Sequence, residues 1–435
     1  MNRSLVFAAL SAILFATATL AAESSKAFVG ATLLPVSGPR IDNGVMVVEA
    51  GRIKAIGPRA TTPIPKGAVV IDLTGKTVIP GLVDTHSHIG GVGGADRSAA
   101  LQPDVRVYDS LNPLDSGFRR AVAGGLTTLN VMPGSGHLLS GQTVYLKLRG
   151  GRTIESLFYR RADGQPAGGI KMANGTNSID APPFPGTRGK SASMQRELFV
   201  RAQEYRDKLA RAGSDVDKRP PRDIGLEAVV EALEGKRVVH FHTHRADDIM
   251  TVLRLKKEFG LRVVLQHVSE GWKVADEIAA AGAPCSIILV DAPGGKLETA
   301  NIEFETAKVL EQKKVNVAFH TDDWITDSRL FLRMAALGVR AGMSRDAALR
   351  ALTLAGAEML DLSDRVGSLA VGKDADFVVL SGDPFSVYTQ VLQTWVEGQS
   401  VFDRNKPEDR LMAVGGYGAG DDQQPYFCCM GRDAQ

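Results

Sequence analysis

Asp84, His86 and His88 occupy alternate positions near the end of the stretch Val78-Ile79-Pro80-Gly81-Leu82-Val83-Asp84-Thr85-His86-Ser87-His88-Ile89-Gly90. An apolar run leads into them, and in an extended strand residues two apart project from one face. Both imidazoles therefore point the same way. Side by side on a rigid strand, with a carboxylate behind them, they offer two lone pairs to a divalent metal without reorganisation. A His-x-His pair on a surface strand would look the same, so the other histidines decide.

The elements that must position these residues fit in a chain of 435 residues, 44% hydrophobic, enough for one domain of barrel size and a smaller one. The net charge is +2, and Lys and Arg are spread along the chain without clustering beside aromatics, which gives nucleic-acid binding no support. Met1 to Ala22 holds one early positive charge, an apolar Ala-rich run from Leu5 to Leu20, and small residues before Glu23. This predicts a secretory signal peptide, hence a periplasmic or secreted protein with no membrane association after cleavage. The run is short for a bilayer span, and no later segment is apolar for long enough. Three cysteines, two of them adjacent as Cys428 and Cys429 in the loose tail 406–435, argue against a fold held by disulfides.

Short runs rich in Val, Ile and Ala, from Ala27 to Leu34, Gly44 to Ile56 and Val69 to Leu73, alternate with turn residues. Similar runs, Phe377 to Leu380 and about Val391 to Phe402, follow near the other end. They predict a small β-sandwich domain formed from both chain ends, residues 23–80 plus 361–405. Between them, residues 81–360 alternate strand-like runs with helical patterns such as Ala246 to Phe259, Lys273 to Ala281 and Ala300 to Lys314. Eight strands are expected, ending near His88, Met132, Lys147, Met172, His244, His267, Leu289 and Asp322. That is the pattern of an α/β fold, a (β/α)8 TIM-like barrel, which places its chemistry at the C-terminal ends of its strands. All eight histidines, at positions 86, 88, 137, 240, 242, 244, 267 and 320, fall at or just after an expected strand end. Structural histidines would not sort this way.

Strand five reads Val238-Val239-His240-Phe241-His242-Thr243-His244, with three imidazoles on one face at successive depths. Strand six ends at Gln266-His267, and strand eight runs through Phe319-His320-Thr321-Asp322-Asp323. Two stretches could set specificity. The Gly-rich turn Pro133 to Gln142 contains His137 and lacks the helix-opening context of a phosphate loop. The insertion Thr176 to Arg222 contains a charged helical stretch from about Ser191 to Ala212 and reads as a lid.

The run Pro80-Gly81-Leu82-Val83-Asp84-x-His86-x-His88, the later histidines, Thr321-Asp322, and the closing Val366-Gly367-Ser368-Leu369 with Gly372-Lys373-Asp374-Ala375-Asp376 together resemble the amidohydrolase superfamily. His242-Thr243-His244 is similar to the branch containing imidazolonepropionase and related peptidase-like members. The resemblance implies that His86 and His88 bind one metal and His242 and His267 another, with Asp322 touching metal and taking a proton from its water. It further implies two divalent ions, expected to be zinc, bridged by a carboxylated lysine; Lys171, in Gly169-Ile170-Lys171-Met172, is the choice and Lys147 the runner-up. His137, Gln142 and His244 are the candidates to contact substrate, a small molecule or short peptide cut at a C–N bond. Two rivals stay open: a mononuclear imidazolonepropionase- or deaminase-like hydrolase, and a non-catalytic periplasmic metal- or ligand-binding protein. A homo-oligomer is compatible with everything above.

Overall fold

The computed structural model describes residues 25–92, 96–289, 296–323, 325–416 and 419, so the expected signal peptide, Cys428 and Cys429 lie outside the described residues. The N-terminal flank supplies β1 (Lys26–Leu33), β2 (Ile41–Glu49), β3 (Arg52–Pro58), β4 (Val69–Asp72) and β5 (Thr77–Pro80). The middle supplies β6 (Leu82–Ser87), β7 (Leu126–Val131), β8 (Leu139–Gln142), β9 (Val144–Lys147), β10 (Ile170–Ala173), β11 (Val239–Thr243), β12 (Val263–His267), β13 (Cys285–Ile287) and β14 (Val317–Phe319). The C-terminal flank supplies β15 (Phe377–Leu380), β16 (Val391–Val396) and β17 (Gln399–Asp403). The fold is mixed α/β.

The two flanks form one eight-stranded sheet, ordered β17-β16-β15-β5-β1-β2-β3 with β4 beside β1. The expected sandwich is not seen as two separate sheets: β4 pairs with the first half of β1 and β5 with its second half, so strands from both chain ends join one continuous sheet. Its core is an aromatic cluster, with Phe28 edge-on to Phe377 at 4.8 Å and to Trp395 at 4.9 Å.

The middle strands are buried on both faces, as parallel strands covered by helices are. β10 to β14 run parallel in order, and β6 runs parallel to β7. Every expected strand end lies within three residues of an observed one, but the third unit is not a parallel one: β9 is antiparallel to β7, and β8 is antiparallel to β10. The connection 132–138 is too short for a crossover back to the same direction, which takes about a dozen residues or more. The two central sheets approach each other where Ser87 bridges to Asp323 and Asp322 N–H donates to the His86 carbonyl at 2.9 Å.

The insertion folds as the helix α2 (Arg188–Ala212), after α1 (Ser116–Ala123). Thr187 caps α2 by accepting the Lys190 N–H. Phe199 lies 4.9 Å from Phe259, the last residue of a helix spanning Ala246–Phe259, and the Gln195 amide donates to the Ala173 carbonyl at 2.9 Å. The helix is therefore tied to the C-terminal end of β10. Among the described residues no helix is long and apolar enough to cross a membrane.

Candidate metal centre

Alternation along β6 turns Asp84 and His86 to the same side, yet their tasks differ. The Asp84 carboxylate accepts the His86 N–H at 3.0 Å, the Thr321 N–H at 3.1 Å and the Thr321 hydroxyl at 2.5 Å. It thus fastens β6 to the residue before Asp322 and faces no metal group. Burial raises its pKa to about 7, outweighing those three bonds.

His86 Nε2 and His88 Nε2 lie 3.2 Å apart, and both approach one oxygen of Asp322, at 3.3 and 3.0 Å. His88 Nδ1–H donates to the Met132 carbonyl at 2.8 Å, which leaves its Nε2 lone pair for a ligand. The Lys171 side-chain nitrogen is fully buried, 3.0 Å from His86 Nε2 and 3.1 Å from Met132 Sδ. From the next strands come His242, His244 and His267, whose ring centroids stand 4.4 to 4.9 Å apart. His244 Nδ1 is engaged by the Ser269 hydroxyl at 2.7 Å. Both nitrogens of His242, Nε2 of His244 and Nε2 of His267 are buried with no hydrogen-bond partner among the described residues.

Such orphaned nitrogens are costly unless something binds them. Three overlapping groups have donor atoms within 4.8 Å of one another: His86, His88 and Asp322; His86, His267 and His320; and His242, His244 and His267. Burial lowers the pKa of His86, His242, His244 and His267 well below the usual histidine value, with neighbouring charges adding to the effect. Neutral imidazole is the form that ligates metal, so the residues fit divalent ions. Burial pushes the Asp322 carboxyl up, but the polar groups around it, His88, His320 and Lys171, bring it below the ordinary range, so it stays ionised.

The structure thus gathers His86, His88, Lys171, His242, His244, His267 and Asp322. Gln142, expected to contact substrate, donates its amide to the Pro103 carbonyl at 3.0 Å. His137 is buried on the loop after β7, edge-on to Phe184 of the insertion at 4.9 Å, with neither ring nitrogen hydrogen-bonded among the described residues. Lys147 is elsewhere, ion-paired with Asp374 at 2.5 Å, Asp376 at 3.0 Å and Glu397 at 3.3 Å. Burial alone would lower its pKa; Tyr159 and the three carboxylates raise it instead.

The sequence alone assigns no role to His320 or Gln266. His320 Nε2 is 3.1 Å from His267 Nδ1, and its Nδ1 is 2.8 Å from the Ser286 hydroxyl. Its spacing of two from Asp322 was the available signal. Gln266 bridges two histidines, His86 and His240, and an uncharged residue inside an apolar run gives no such signal.

A buried multi-histidine centre with one carboxylate and one lysine, set at the ends of parallel strands, fits the divalent-metal site of a hydrolase class. The sequence profile of the amidohydrolase family matches residues 77–401, and the chain belongs to that family, enzymes acting on carbon–nitrogen bonds. It is 31% identical to an amidohydrolase of known structure from Thermotoga maritima, covering 87% of this chain and 100% of that one with a TM-score of 0.81. Among curated proteins it is 27% identical to the amidohydrolase tasK of Hapsidospora irregularis, over 83% of this chain but only 40% of that much longer protein. It is also 27% identical to the imidazolonepropionase of Deinococcus radiodurans, over 79% of this chain and 86% of that protein.

Proposed function

We propose that the protein hydrolyses C–N bonds in amide, cyclic-amide or peptide-like small molecules or short peptides, using two zinc ions held by His86, His88, Lys171, His242, His267 and Asp322. The observation that carries this reading is Lys171, buried 3.0 Å from a neutral metal-type histidine. A desolvated lysine amine in its neutral form can take up carbon dioxide, and the resulting oxygen anion can hold two cations together. When bound, the ions would act as Lewis acids and lower the pKa of water toward neutrality. Asp322 takes the proton from the attacking water and passes it to the leaving nitrogen. His244 Nε2 and His137 offer hydrogen bonds to the substrate, and Phe184 provides an apolar wall beside His137.

The Ser87–Asp323 bridge and the likeness to the Thermotoga fold support reading the two central sheets as one TIM-like barrel, reversed at its third position. The contact of Phe184 with His137 supports a covering role for the start of the insertion. The leader-like residues 1–22 support export to the periplasm or medium. The mononuclear alternative draws on one observation, that Nε2 of His86 and Nε2 of His88 both approach a single oxygen of Asp322, at 3.3 and 3.0 Å.

Elemental analysis of purified mature protein grown with zinc, as wild type and Lys171→Ala, tests the proposal. Two ions per chain falling to one or none in the variant support the bridged pair. One ion in both favours the mononuclear reading, and hydrolysis that survives complete metal removal sinks both.

A further inference from the structure

Beneath the metal groups, four side chains form a buried line. His86 Nδ1 lies 3.3 Å from Gln266 Oε1, Gln266 Nε2 lies 3.2 Å from His240 Nδ1, and His240 Nε2 lies 3.0 Å from the Tyr145 hydroxyl. His86, Gln266 and His240 are fully buried and Tyr145 is nearly so, so no solvent can substitute for a missing partner. Space for the His240 ring depends on Gly169, where a side-chain carbon would come within 2.6 Å of the ring.

The donors and acceptors along this line are linked. An amide nitrogen only donates and an amide oxygen only accepts. With Gln266 Oε1 toward His86, the hydrogen of His86 sits on Nδ1 and its Nε2 keeps a lone pair, facing His88, Asp322 and Lys171. The same orientation obliges His240 Nδ1 to accept from Gln266, which puts the His240 hydrogen on Nε2, where the Tyr145 oxygen accepts it. Reversing the amide would place the hydrogen of His86 on Nε2 and close it to a metal.

We infer that His240 is a positioning residue for the metal centre: acting through the Gln266 amide, it holds His86 in the tautomer whose Nε2 is open to an ion. The inference rests on the metal-dependent reading above and names a device within it. Partners of this kind typically contribute ten- to a hundredfold to metal affinity.

The test is the zinc dissociation constant of the mature protein, measured by chelator competition for wild type, His240→Leu and His240→Asn. Leucine removes the acceptor, and affinity should fall about tenfold or more; asparagine places an amide oxygen near the lost Nδ1 and should stay within about threefold of wild type. His240→Leu binding as tightly as wild type, or His240→Asn losing as much as His240→Leu, overturns the inference. If His240→Leu does not fold, long-range nitrogen–proton NMR of the metal-free wild type decides: hydrogen on His86 Nδ1 supports it and hydrogen on Nε2 overturns it. Wild-type protein that binds no zinc would instead defeat the metal-dependent reading itself.

Discussion

Lys147→Met removes a buried cation and leaves its three carboxylates behind. Two of them keep other partners: Glu397 retains Arg149 at 2.8 Å, and Asp374 retains Arg365 at 2.8 Å. Asp376 keeps one hydrogen bond, from the Glu397 N–H at 2.7 Å, and burial already pushes its carboxyl up while Lys147 is present. The variant therefore strands one buried charge, and breaking such a pair costs about 3–5 kcal/mol. At about 1.4 kcal/mol per tenfold, that is roughly two to four powers of ten in the ratio of folded to unfolded chain. Urea unfolding followed by circular dichroism should show this loss, and the double variant Lys147→Met/Asp376→Asn, which removes the stranded charge, should recover a good part of it. Zinc content should stay at the wild-type value in both. A single variant as stable as wild type, or a double variant no better than the single, refutes the reasoning; loss of zinc with Lys147 would return this lysine to the metal centre.

Glu397, held to a pKa of about 2 against its ordinary 4.5 because the Arg149 and Lys147 contacts outweigh burial, gives a pH prediction. A depressed carboxyl contributes stability above its unfolded pKa and loses it as pH falls through the folded one, so the deficit of Glu397→Gln should be full at pH 6 and shrink between about pH 4.5 and 2. A deficit independent of pH would contradict it. Asp322→Asn should lower kcat by about a hundredfold or more on any amide the enzyme turns over, the usual contribution of a positioned proton acceptor. An unchanged kcat removes Asp322 from that role. His137→Ala should lower kcat/KM on the same substrate while zinc content stays constant, and a loss of zinc would show that His137 supports the metal centre instead.

Much of the site was legible because its residues cluster at strand ends, and period-two spacing alone brings out His86 with His88 and His242 with His244. The helical stretch of the insertion was equally plain from its charge pattern. Strand direction was not. Val144 to Lys147 is an apolar run whether it goes up or down, and only the length of the preceding connection excludes a parallel return. Lys147 and Lys171 look alike in sequence because what distinguishes them comes from far along the chain, Asp374, Asp376 and Glu397 for one and His86 for the other. Gln142 sits in a promising Gly-rich turn, and its engagement by Pro103 depends on a loop that local patterning does not locate.

The pairing of β5 with β15 ties the fold to the order of synthesis. Pro80 is registered against Phe377, which leaves the ribosome roughly 300 residues later, some 15–60 s at ordinary elongation rates. Throughout that interval one side of β5 lacks its neighbour, and an unpaired apolar strand edge is a template for the wrong partner. The nascent chain must therefore keep Thr77 to Pro80 covered until its own C-terminal flank arrives, and a chain truncated before Phe377 should aggregate in place of folding as a shorter domain.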